Sequence, residues 1–76
     1  MAVSMETLDD LYVKLGSQVR DLRIDLRLSR KEAAGRIGIG WEMLKKIELG
    51  QARTLKSYDK CARALGGRLT AEIVKA

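Results

Sequence analysis

Between Ser29 and Gly50 the chain carries two helix starts and two helix stops, and this punctuation constrains its fold more than any other feature. Ser29-Arg30-Lys31-Glu32 matches a capping box. The serine hydroxyl accepts from the third backbone N–H, and the glutamate reaches back to the serine N–H. The spacing predicts a short helix through Ala33, Ala34 and Ile37. Gly38, suited to a left-handed C-terminal cap, ends it. Gly38-Ile39-Gly40 then reads as a tight turn. A further helix is expected from Trp41 to about Leu49, with Gly50 as its stop. At about 100° per residue, Met43, Leu44 and Ile47 share one face of this helix, and Trp41, Glu42, Lys45 and Lys46 share the other.

The flanking segments are also helical in pattern. Leu8, Leu11, Leu15, Val19, Leu22 and Leu26 recur at spacings of three and four, a single apolar stripe. Gly16 interrupts it at a cost of about 1 kcal/mol relative to alanine. The pattern predicts a helical turn or helix from Thr7 and a main helix from Leu15 to about Arg27, with their continuity open. Ile24 falls opposite the stripe. Thr54 is placed to cap another helix through Leu65, with Leu55, Tyr58, Ala62 and Leu65 facing the core and Cys61 at the edge. Gly66-Gly67 ends it. Beyond it Leu69, Ala71 and Ile73 alternate with polar neighbours, and period two means a strand. A lone strand leaves an unpaired edge, and the same strand from a second copy is its simplest partner. The expected fold is all-α, with four to five helices and a short C-terminal β-strand that pairs across a homodimer. Its parts are a leader over 1–14, a domain over 15–66 and a dimerisation tail over 67–76.

Seventy-six residues make one small domain, and chains of about 60 residues bury only about 60% of their unfolded surface. Side-chain chemistry is sparse: there is no histidine and a single cysteine. That excludes Ser-His-Asp and Cys-His catalysis, Cys₂His₂ zinc sites and an internal disulfide. No enzyme, cofactor or metal is expected. A reducing, cytoplasmic setting fits the cysteine usage. No apolar run reaches the roughly 18 residues of a spanning helix, and Glu6, Asp9 and Asp10 argue against a signal peptide. The net charge of +5 divides into −2 over residues 1–14 and +7 over residues 15–76. A basic body calls for an anionic partner. Aromatic content of 4% disfavours RNA modules that stack bases on exposed rings.

Two short helices joined by a glycine-containing turn suggest a helix-turn-helix. Leu28 to Ile39, followed by Leu44-Lys45-Lys46-Ile47-Glu48-Leu49-Gly50, resembles the Cro and lambda-repressor type of helix-turn-helix domain over about Leu15 to Leu65. Arg30 stands where that family often has glutamine, Gly40 where it has a serine or threonine cap, and Ala33 where it has leucine. Ala64 to Ile73 looks like the antitoxin branch, in which a C-terminal strand joins two subunits. The resemblance implies a repressor that binds double-stranded operator DNA as a homodimer. An antitoxin that controls its own operon and neutralises a toxin fits best. The alternatives are a phage repressor, a restriction-modification controller, or an interaction module that keeps the fold without DNA binding and docks a partner at Leu8, Leu11 and Tyr12 or at the strand.

On that reading Trp41, Glu42, Lys45 and Lys46 are the base-contact candidates. Lysine donates to guanine O6 and N7, glutamate accepts from cytosine N4, and Trp41 packs on a thymine methyl. Trp41 also reads as a core or dimer residue, and Glu42 as a partner of the helix dipole. Arg30, Lys31, Arg53 and Lys56 flank the helix as phosphate candidates, which position the protein without reading sequence. The resemblance further implies an ion pair between Arg23 and Glu48, a scaffold element.

Overall fold

A computed structural model describes residues 7–70. Four helices follow one another: α1 Leu8–Asp25, α2 Arg30–Ile37, α3 Trp41–Glu48 and α4 Leu55–Ala64. Helix α1 packs against α3 and α4, and α2 packs against the same two. No strand forms among the described residues.

Thr7 starts α1 with a capping box, its hydroxyl accepting from Asp10 N and its own N–H donating to the Asp10 carboxylate. The helix then runs unbroken through residues 14 and 15, so the open question of continuity resolves into a single helix. Gly16 lies inside it for a packing reason. A β-carbon there would sit 2.3 Å from Ile47 O and 2.8 Å from Glu48 O. The backbone of α1 thus touches the C-terminal turn of α3, and only a residue without a side chain permits that approach. Helix α1 leaves through Arg27, at φ 58° the one non-glycine residue with positive φ among those described. Such a conformation costs an L residue about 1–2 kcal/mol.

Ser29 caps α2 as its sequence predicts. Its hydroxyl accepts from Glu32 N at 3.1 Å, and its N–H donates to Glu32 Oε1 at 2.8 Å. The bond from the Ser29 backbone and that from its hydroxyl together hold the Glu32 carboxyl below its usual range. Gly38 closes α2 at φ 91°, and Gly40 opens α3 with no side-chain cap. Gly50 meets two demands at once: φ is 76°, and a β-carbon would lie 2.6 Å from Val13 Cα. Thr54 stands at the start of α4 without capping the backbone; its hydroxyl pairs instead with Ser57 Oγ at 3.0 Å.

The core is Leu15, Val19, Ala33, Ala34, Ile37, Leu44, Ile47, Tyr58, Cys61 and Leu65. Three residues depart from the sequence pattern. Met43 is 49% exposed although the helical wheel put it inward. Glu48 occupies an inward position, which centres the buried face on Leu44, Ile47 and Glu48 and leaves Met43 about 90° away. Leu55 is half out at the first position of α4. Cys61, expected at the edge, is fully buried, and loss of solvent pushes its thiol up to about 11.

Two tyrosines fasten the α3–α4 connection. The Tyr12 hydroxyl donates to Arg53 O at 3.1 Å, and the Tyr58 hydroxyl to Ala52 O at 2.7 Å. Their rings stack with centroids 5.6 Å apart. Burial raises the Tyr58 phenol above its ordinary pKa. Of the proposed dimer strand, Leu69 is non-strand and packs against its own core. It is half-buried and shares a cleft with Leu15, Val19 and Leu22 of α1. Ala71 and Ile73 lie outside the described residues.

Candidate nucleic-acid interface

The outward face of α3 is the centre of the site. Leu44, Ile47 and Glu48 take the inward positions, which leaves Trp41, Glu42, Lys45 and Lys46 exposed. These four line one shallow depression with Leu49 and Gln51. Trp41 is 45% exposed and stands outside the core. Among the described residues neither lysine nor Glu42 makes an ion pair. A compact surface two helical turns long therefore presents two free ammoniums, one carboxylate and one indole.

The four flanking cations separate into different environments. Lys31 is exposed on the first turn of α2. Lys56 lies beside a separate cleft formed by Ile37, Ile39, Met43, Lys60 and Cys61. Arg53 pairs with Asp9 and sits over the Tyr12 ring, 5.5 Å from its centroid. The first turn of α1 thus offsets the charge that was expected to meet a phosphate. Arg30 is also engaged. Its Nε donates to Glu48 Oε1 at 3.0 Å, because the first residue of α2 faces the C-terminal turn of α3.

Glu48 is therefore shared between two arginines. Arg23 Nε reaches Oε2 at 2.6 Å and Arg23 Nη2 reaches Oε1 at 3.2 Å, while Nη1 donates to Leu28 O at 3.0 Å. The Glu48 side chain is 1% exposed and the Arg23 side chain 12%. No buried side-chain nitrogen or oxygen among the described residues lacks a partner. This arrangement ties α1, α2 and the end of α3 to one carboxylate and fixes the angle at which α3 is presented.

Two residues absent from the sequence candidates join the site. Ser17 and Arg20, on the exposed side of α1, line a second depression with Val13, Arg30, Glu48 and Leu49. The spacing 13, 17, 20 puts them on one helix face. That is a usable signal, but the stronger leucine stripe on the opposite side obscures it. Leu49 borders both depressions.

No group of three or more Cys, Asp or Glu side chains able to hold a metal occurs among the described residues. No helix among them is long and apolar enough to cross a membrane. No protein-family model and no curated protein sequence matches the chain.

Proposed function

We propose that this chain is a sequence-specific double-stranded DNA-binding regulator, with α2, the Gly38–Gly40 turn and α3 acting as a helix-turn-helix. The observation that carries the reading is the unpaired Trp41, Glu42, Lys45 and Lys46 set on the outward side of α3. A helix with its side chains is about 10–12 Å across, and the major groove is about 12 Å wide. One such helix enters the groove with its N-terminal residues toward base edges. Lys45 and Lys46 then donate to guanine, Glu42 accepts from cytosine N4, and Trp41 covers a thymine methyl. Lys31 and Lys56 hold phosphates at the flanks. The Arg23–Glu48–Arg30 assembly supplies rigidity rather than readout.

The resemblance to the antitoxin branch extends the proposal to an autoregulating repressor that also binds a toxin. As a homodimer it presents two α3 helices about 34 Å apart, one DNA turn. The test is duplex selection from a random pool, followed by titration of the selected duplex against Lys45→Gln/Lys46→Gln. The double variant should lose the shifted complex and keep its helical circular dichroism. Unchanged binding refutes the groove assignment. A second reading, an interaction module, draws on Leu8 and Val13, 67% and 55% exposed on α1. It predicts no salt dependence toward mixed-sequence DNA, where a DNA binder shows a steep one.

A further inference from the structure

We propose that Ser17, Arg20 and Arg30 form a second phosphate site on α1 and α2, filled by a backbone phosphodiester of the duplex that α3 reads. This deepens the DNA-binding reading and rests on it. The three residues line a depression of about 260 Å³ floored by Glu48 and walled by Val13 and Leu49. Three features make it attractive to an oxyanion.

Charge is in excess there. Arg23 and Arg30 pair with a single carboxylate, Glu48, and Arg20 lines the same depression, so these four side chains sum to +2. Both Glu48 oxygens already accept from arginines, so the carboxylate offers an incoming anion little unscreened repulsion. Donors are also available. Arg30 bonds Glu48 through Nε, its side chain is 38% exposed, and its two terminal nitrogens make no hydrogen bond among the described residues. Arg20 makes no ion pair among the described residues, and Ser17 adds a hydroxyl. A guanidinium fork matches phosphate geometry and gives charge-assisted bonds. Finally, the position suits a duplex. Leu49 is common to this depression and to the one around Trp41, Lys45 and Lys46. A helix seated in the groove is bordered by backbone on either side, so a strand flanking α3 at Leu49 meets Arg20 next.

The experiment compares Arg20→Gln with Arg63→Gln, the same charge change on α4 outside both depressions. Affinity for mixed-sequence duplex is measured against salt, and inorganic pyrophosphate is titrated separately while Ser17 and the arginine Nε–H signals are followed by NMR. Arg20→Gln should lower the log–log salt slope by about 0.9, one phosphate contact, and weaken all duplex sequences alike. Arg63→Gln should leave the slope as in the wild type. A steep wild-type slope that Arg20→Gln does not change overturns the site. A flat wild-type slope overturns DNA binding itself, and with it the duplex as occupant. Pyrophosphate then separates the two failures: saturable shifts at Ser17 that Arg20→Gln abolishes leave an oxyanion site for a free phosphate, and no shifts dispose of the site as well.

Discussion

Replacing Gly16 by alanine sets two physical effects against each other, and the structure decides which prevails. Helix propensity favours the change by about 1 kcal/mol, because glycine in a helix interior is that much worse than alanine. The packing opposes it. The new β-carbon would meet Ile47 O at 2.3 Å, Glu48 O at 2.8 Å and Gly50 N at 2.9 Å. All three are backbone atoms, so no side-chain rotation relieves the contact, and α1 must move away from the end of α3. Overpacking of this kind costs about 1–3 kcal/mol, and rigid neighbours place Gly16 at the upper end. The net expectation is a loss of about 2 kcal/mol. For a domain of this size that lowers Tm by about 8–16 °C, at 4–8 °C per kcal/mol. Gly35→Ala is the matched control, since it lies inside α2 with nothing within 4 Å of its would-be β-carbon. It should gain about 1 kcal/mol from the same propensity. Thermal and urea denaturation followed by circular dichroism measure both. If Gly16→Ala stabilises the chain as Gly35→Ala does, the close approach of α1 to α3 is wrong.

Glu48→Ala leaves two guanidiniums facing an empty site and should cost about 3–5 kcal/mol in urea titration, whereas Arg30→Gln removes a half-exposed partner and should cost less than about 1 kcal/mol. Equal losses would remove Glu48 from the centre of the assembly. Cys61 should resist a thiol reagent at pH 8 until the chain unfolds. Its thiol ionises near 9.0 when free and about 11 when folded, so above pH 9 the unfolded chain releases a proton that the folded chain keeps. Stability is fully present below pH 9 and falls as pH rises through that window; Cys61→Ala should show a shallower decline there, and identical declines would dismiss the burial argument.

The four helices were legible because their signals are local. The Ser29–Glu32 box, Gly38 and Gly50 each act through a backbone bond or dihedral within a few residues, so the chain itself states where α2 and α3 begin and end. Most of the outward face of α3 was legible for the same reason: with Leu44 and Ile47 inward, helical geometry turns Trp41, Glu42, Lys45 and Lys46 outward, although it also put the exposed Met43 inside.

Other features depend on what lies across the fold. Composition and periodicity pointed to an all-α chain with a basic body, one polar-faced helix and a C-terminal strand, and the described residues show the helices alone. Gly16 looks like a helix breaker until the α3 backbone is seen against it. Arg53 looks like a free cation until Asp9 is seen beside it, and Arg30 looks wholly free until its Nε is seen on Glu48, from 44 and 18 positions away. Tertiary structure alone decided which charges remain available, because whether a side chain is neutralised depends on distance in space. Periodicity can place a residue on a face of its helix, but only packing determines what that face meets.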